Sequence, residues 1–313
     1  MAFNTIRQSS SDQSAPRRSQ LQLTKAPEIL QHIQDVLQIS GATLLSVTML
    51  TSAMLAGGLV GLAISFRNLP DVRVLRNYIP SETSYIYDID GTLLDSMHDE
   101  ANREVIGLNE ISPHLKRAVL AIEDSSFYTH EGINPTGIGR AVLANLQAGG
   151  TVQGGSTITM QLVKNLFLTP EQAISRKVVE AVLSLRIEQI FEKNEILELY
   201  LNQVYWGHNT YGAETAAQSY FNKSAKELTL GESAMMAGLI QAPEGFSPFV
   251  DYKLAKERQA LVLARMRQLR WITPEEEQAA KVQPLKLGKI TSFGSSQAPY
   301  VTEAVIQELQ EQF

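Results

Sequence analysis

Two glutamates carry the strongest chemical promise in this sequence. Glu123, followed by Asp124, closes a run that begins at Ser112-Pro113, and Phe127, His130 and Gly132 come directly after it. A carboxylate at a helix C-terminus meets the negative end of the helix dipole, which raises its pKa and makes it a better base. Glu180 ends the segment Arg176-Lys177-Val178-Val179-Glu180, where Arg176 lies one helical turn earlier. Taken alone, that spacing describes a surface ion pair. Between the glutamates runs Gly149-Gly150-Thr151-Val152-Gln153-Gly154-Gly155-Ser156-Thr157. It nearly spells a P-loop, but Gly155 stands where the phosphate-binding lysine belongs, which argues against a nucleotide triphosphatase. A glycine-rich loop entering Ser156 and Thr157 can still cap a helix through Lys164, and exposed N–H groups there favour an anion.

Together the two carboxylates, the anion loop and the cations Lys164, Arg176 and Lys177 suit transfer of a sugar from a diphosphate carrier. Such a transfer needs a base for the acceptor hydroxyl and positive charge for the departing diphosphate. A glycosidase instead needs a protonated acid for a poor alkoxide leaving group. A competing motif, Asp88-Ile89-Asp90-Gly91-Thr92-Leu93-Leu94-Asp95-Ser96, matches the nucleophile segment of haloacid-dehalogenase-type phosphatases. That chemistry also requires an acidic pair for Mg²⁺ and alternating strands and helices, and the chain has no Asp-Asp and no such alternation. An Asp-Gly hairpin turn explains the same residues.

The elements that must hold these groups are mostly helices. Ser112-Pro113 supplies an N-cap and first-turn proline ahead of Leu115, Val119 and Ile122. Thr169-Pro170-Glu171-Gln172 reads as a capping box, with Val178, Val182 and Leu185 on one face of the long helix behind it. Thr273-Pro274-Glu275-Glu276 opens another helix. From Ser81 to Val105 the pattern is short and extended, turning at Asp90-Gly91.

Composition bounds the remaining choices. The chain has 313 residues, a net charge of -6 and no cysteine. That excludes disulfides and thiolate chemistry, and nothing in the charge balance points to nucleic acid. The five histidines have no zinc-site spacing. Between Asp35 and Arg67 no residue is charged, and Gly41 to Phe66 is rich in Leu, Val, Ala, Met and Gly. About 20 such residues cross a bilayer. Residues 1–37 read as a disordered tail and juxtamembrane segment, 38–66 as a transmembrane helix and 67–111 as a linker with a β-hairpin. A catalytic domain is expected over 112–290 and a linker over 291–313. Basic residues flank the span on both sides, leaning only slightly toward a cytoplasmic N-terminus.

Five ordered motifs make the chain resemble the peptidoglycan glycosyltransferases of glycosyltransferase family 51. They are Glu123-Asp-Ser-Ser-Phe-Tyr-Thr-His-Glu-Gly132, Gly154-Gly-Ser-Thr-Ile-Thr-Met-Gln-Leu-Val-Lys-Asn165 and Arg176-Lys-Val-Val-Glu180. Lys193-Asn-Glu-Ile-Leu-Glu-Leu-Tyr-Leu-Asn202 and Arg258-Gln-Ala-Leu-Val-Leu263 complete the set. The resemblance implies a mainly α, lysozyme-like fold with a small β element and a membrane-embedded jaw, behind one transmembrane helix. It implies lipid II and the growing glycan strand as substrates, inversion to a β-1,4 linkage, and a bacterial plasma-membrane enzyme with its N-terminus inside. Glu123 would deprotonate the acceptor hydroxyl, and Glu180 would act at the donor diphosphate, directly or through Mg²⁺ or Mn²⁺. Ser156, Gln161, Lys164, Arg176 and Lys177 fall on donor-contacting positions, with Asp124 and Phe127 supporting Glu123. Cell-wall synthesis proteins are candidate partners.

Met160, Gln259 and Ser126 depart from the usual motifs. Gln172 stands where many relatives carry an arginine aimed at the diphosphate. Two other readings remain: a lysozyme-like hydrolase or lytic transglycosylase, and a catalytically weakened membrane scaffold. The signatures of a penicillin-binding transpeptidase are missing, yet Ala298-Pro299-Tyr300-Val301 resembles the join to one.

Overall fold

The computed structural model describes residues 26–67, 69–78, 80–91, 93–97, 102–150, 154–168, 175–288 and 299–312. Residues 1–25 of the N-terminal tail, the capping box at Thr169 and the divergent Gln172 lie outside them, whereas residues 26–37, read as tail and juxtamembrane segment, are helical. The chain divides into two compact units, one ending at Ile64 and one beginning at Ser65.

The described part of the first unit lies in helix α1 (Ala26–Arg67), whose last residues, from Ser65, belong to the second unit. Within α1 Gly41–Gly58 has a mean hydropathy of 1.3, long and apolar enough to cross a membrane. Leu44, Leu45, Met49, Leu50, Met54 and Leu55 all expose their side chains. The hydroxyls inside the span are turned back on the helix. Ser46 donates to Ala42 O at 2.8 Å, Thr51 to Val47 O at 2.9 Å and Ser52 to Thr48 O at 2.6 Å. Such bonds satisfy polar side chains where lipid offers no partner.

The second unit is mainly helical. Strands β1 (Ser84–Tyr87) and β2 (Leu93–Met97) form the antiparallel hairpin read from Asp90-Gly91, with Gly91 at φ +80. A second sheet was not legible. Strand β3 (Asn102–Arg103) runs parallel to β5 (Thr210–Tyr211), which pairs antiparallel with β4 (Tyr205–Gly207). Helix α2 (Pro113–Glu123) begins as the sequence suggests, with Ser112 Oγ accepting from His114 N. Then come α3 (Pro135–Ala148), α4 (Ile158–Phe167), α5 (Ser175–Glu188) and α6 (Lys193–Gln203). Past the second sheet lie α7 (Ala213–Phe221), α8 (Leu230–Leu239), α9 (Tyr252–Gln268), α10 (Pro274–Val282) and α11 (Pro299–Gln312). Thr273 and Glu276 form the expected capping box on α10.

Helix α8 is the hub. Every residue from Gly231 to Leu239 is buried, so the helix is packed all round, chiefly by α2 and α9. Leu115 and Val119 of α2 are buried as read, whereas α5 is rotated from its expected face. Val179, Leu183 and Ile187 face the core instead of Val178, Val182 and Leu185, and Leu185 is exposed. The physical reason is Glu180, which is 1% exposed and shares the inward face. A pattern that treats every carboxylate as solvent-facing misses one that is buried beneath its own cations. At the far end, α11 packs on β2, where the sequence reading had a linker.

Candidate active site

A cleft of about 840 Å³ contains both glutamates. Asp124, Ser156, Gln161, Lys164 and Lys177 also line it. Each acidic group is held by a different set of elements. Glu123 is the last residue of α2, and its Oε2 accepts from Gln161 Nε2 of α4 at 2.7 Å. Burial pushes its carboxyl above the usual range, opposed by the Gln161 bond and by Arg258, and aided by Asp124. The direction is the expected one, but desolvation is the largest cause.

Asp124 holds the motif together. Its Oδ2 accepts from His130 Nε2 at 2.9 Å and from Ile158 N at 3.2 Å, and Ile158 is the first residue of α4. The helix N-terminus that the sequence offered to a substrate anion therefore receives a carboxylate of the protein itself. Thr157 caps the same helix through Met160 N, while its hydroxyl donates to Gly132 O at 2.6 Å. Gly132 sits at φ +84, and a Cβ there would meet Ser184 O of α5 at 2.8 Å. Only glycine allows this close approach of the loop to α5.

The cleft lining is also cationic. Glu180 Oε1 lies 3.4 Å from Arg176 Nε, and Oε2 is in contact with Lys177 Nζ. Lys177 also donates to Ser156 Oγ at 3.0 Å, so the ammonium joins the glycine-rich loop to the glutamate. Lys164 and Arg140 add exposed positive charge to the lining. This ion pair is not the surface feature that its spacing suggests, because Glu180 is inaccessible while 52% of the Lys177 side chain is exposed. A divalent ion held by the protein fits poorly here. Both Glu180 oxygens face cations, and no group of three ligating side chains occurs among the described residues.

Phe127 is 1% exposed and lies under Lys193, whose Nζ is 4.5 Å from the ring centroid. It supports the loop from the core and offers substrate no surface. Of the divergent positions, Met160 is buried at the cleft wall and Ser126 Oγ accepts from Asn134 Nδ2 at 2.7 Å. Gln259 is fully buried, with its amide donating to Gly231 O at 2.8 Å. Its substitution serves the α8–α9 contact and does not touch the cleft.

Sequence reasoning missed the residues that α6 and α9 deliver. Tyr200 of α6 donates from its hydroxyl to Gln161 Oε1 at 3.1 Å. Arg258 of α9 donates to Gln241 Oε1 at 2.7 Å and interacts electrostatically with Glu123. Arg265 reaches Ser125 Oγ at 3.2 Å. Tyr200 and Arg258 fall inside quoted motifs, which was the available signal, but no spacing argument brings them to Glu123. A second constellation has the atom types of a serine nucleophile site: Ser247 Oγ is 2.8 Å from His208 Nε2, and His208 Nδ1 is 3.5 Å from Glu244. Ser247 is fully buried, which closes it to substrate.

A helical unit built around a two-glutamate, cation-lined cleft agrees with the comparison to known families. The transglycosylase family model matches residues 90–267, and the chain belongs to that family. Penicillin-binding protein 1A of Aquifex aeolicus is 43% identical over 241 residues, 77% of this chain and 33% of that protein. The same-named protein of Neisseria flavescens is 40% identical over 263 residues, covering 83% and 33%. That of Escherichia coli is 41% identical, covering 77% and 28%. A crystal structure of penicillin-binding protein 1A from Haemophilus influenzae is 27% identical at a TM-score of 0.42, covering 75% of this chain and 25% of that one. The chain thus spans about one third of the length of these curated relatives.

Proposed function

We propose that this chain is a peptidoglycan glycosyltransferase that polymerises lipid II into β-1,4-linked glycan at the outer face of a bacterial plasma membrane. The observation that carries the reading is that one cleft holds both a half-buried, proton-seeking carboxylate and a cluster of cations. Glu123 takes the proton of the acceptor hydroxyl as that oxygen bonds to the donor's anomeric carbon. The bond from this carbon to the diphosphate oxygen breaks on the opposite side, and its electron pair leaves on the diphosphate. Lys177 and Lys164 meet that developing charge, with Ser156 as a hydrogen-bond donor.

Glu180 acts as an anchor for these cations: paired with Arg176 and Lys177, it fixes their position and leaves the exposed face of Lys177 toward the donor. A raised Glu123 alone would equally suit the acid of a glycan-cleaving enzyme. The cations of the cleft favour synthesis, because a diphosphate leaving group needs positive charge and no protonation. This reading requires the N-terminal segment inside the cell, α1 through the bilayer and the second unit outside.

The test is release of the polyprenyl diphosphate from lipid II by the purified chain in detergent micelles. Release that depends on Glu123 supports the proposal. Intact lipid II after prolonged incubation, with a folded protein, refutes it.

A further inference from the structure

The Glu123 carboxylate is not symmetric in its surroundings. Its Oε2 accepts from Gln161 Nε2 at 2.7 Å, while Gln161 Oε1 accepts from the Tyr200 hydroxyl at 3.1 Å. Among the described residues no hydrogen bond reaches Glu123 Oε1. Tyr200 is fully buried in α6, with its ring in the core and its hydroxyl aimed at the cleft wall. Burial and the Glu123 and Asp124 carboxylates push the phenol well above its usual range, so it stays a neutral O–H donor. An amide whose oxygen is claimed by a phenol has only its NH₂ group left to turn toward the carboxylate.

We infer that Tyr200 is a positioning residue for the catalytic base: through Gln161 it ties down Glu123 Oε2 and leaves Oε1 as the oxygen that takes the acceptor proton. The inference rests on the proposed glycosyl transfer for its kinetic consequence, but the hydrogen-bonded chain stands on its own geometry. The base is tied to three helices at once, α2, α4 and α6. Its approach to a hydroxyl is thereby fixed before substrate arrives, which is where positional error costs rate.

Several charged groups face Glu123 besides this chain. Asp124 follows it at the C-cap of α2, and Arg258 acts on it from α9. Arg140 from α3, Lys164 from α4, Arg265 from α9 and the Lys177–Glu180 pair from α5 share the cleft. None of them touches Gln161 Oε1, so removing the Tyr200 oxygen leaves their placement alone.

The test is Tyr200→Phe in the full chain, which deletes one atom from a filled core position. It is read by lipid II kinetics and by ¹³C NMR titration of the Glu123 carboxyl. A loosened amide donates less well to the ionised carboxylate, so Glu123 should titrate at higher pH in the variant than in the wild type. The acidic limb of the kcat profile should move the same way, with kcat down about 10-fold or more and KM within about 2-fold. Gln161→Met breaks the same chain from the other end and should give the same shifts, and the double variant should add little. Unchanged Glu123 titration in folded Tyr200→Phe overturns the inference whatever Gln161→Met does, as do additive effects with an unmoved pH limb. Failure of the wild type to consume lipid II would instead sink the proposed function, while the NMR comparison still decides the hydrogen-bonded chain. Should Tyr200→Phe unfold, 3-fluorotyrosine at position 200 keeps the ring and strengthens the hydroxyl as a donor; it should lower the pH at which Glu123 titrates, and an unmoved titration overturns the inference.

Discussion

Lys177→Met separates the two jobs assigned to that lysine. In the structure its ammonium contacts Glu180 Oε2 and donates to Ser156 Oγ at 3.0 Å. Breaking a fully buried ion pair from one side costs about 3–5 kcal/mol. That figure must be discounted here, because 52% of the lysine side chain is exposed and Arg176 stays 3.4 Å from Oε1 of the same carboxylate. A loss of about 1–2 kcal/mol remains, a drop of roughly 2–8 °C in Tm for a unit of this size. The second loss is kinetic. A charge-assisted contact to the leaving diphosphate contributes about 1.5–3 kcal/mol, which converts to roughly a 10- to 150-fold fall in kcat/KM. Lipid II consumption with scanning calorimetry on the same preparations reads both, and Lys177→Arg should recover part of each. A variant that melts lower yet keeps kcat/KM within about 2-fold would refute a role at the diphosphate and leave Lys177 as the structural partner of Glu180.

Three further outcomes follow from the same geometry. Glu123→Gln should lower turnover by about 10²–10⁴-fold while retaining the Gln161 bond. Because the folded-state pKa of Glu123 is raised, its ionisation opposes folding as pH rises through that value. The variant should therefore melt at or above the wild type at neutral pH, and the difference should vanish in acid. Gly132→Ala should destabilise by more than about 1 kcal/mol, read as a shifted urea midpoint, because it strains a φ of +84 and drives a methyl group into Ser184. For Glu232, burial pushes the carboxyl up, but Lys223 at 2.7 Å and the Thr229 cap outweigh it and hold the pKa below the usual range. Its stabilisation is present at neutral pH and lost as pH falls through that lowered value. Glu232→Gln should therefore cost stability at pH 7 and little in strong acid, measured by melting across pH.

Local signals in the sequence were reliable where the chemistry is local. Ser112-Pro113 and Thr273-Pro274 cap helices because their side chains bond the backbone two or three residues on. Asp90-Gly91 turns a hairpin because glycine accepts φ +80. Each of these is decided within one turn of chain. Motif context singled out the two glutamates, and the fold brings both to one cleft. What the sequence could not reveal depends on packing between distant segments. The inward face of α5 is set by a buried carboxylate, and the three-stranded sheet joins residues more than a hundred positions apart. Asp124 fills the helix N-terminus that a local reading leaves open to substrate. Tyr200, Arg258 and Arg265 reach the site only because α6 and α9 pack beside α2 and α4. The raised pKa of Glu123 was anticipated in direction but from the wrong main cause, since desolvation exists only once the fold encloses the residue.

The most direct test of the central claim incubates the purified chain and its Glu123→Gln variant with lipid II and, in parallel, with finished glycan strands. Product length is then resolved on a gel. The expected result is a ladder of lengthening strands from lipid II with the wild type only, and finished strands left intact. Shortening of the finished strands without any polymer from lipid II would contradict the assignment of a synthetic enzyme and turn Glu123 into the acid of a glycan-cleaving one.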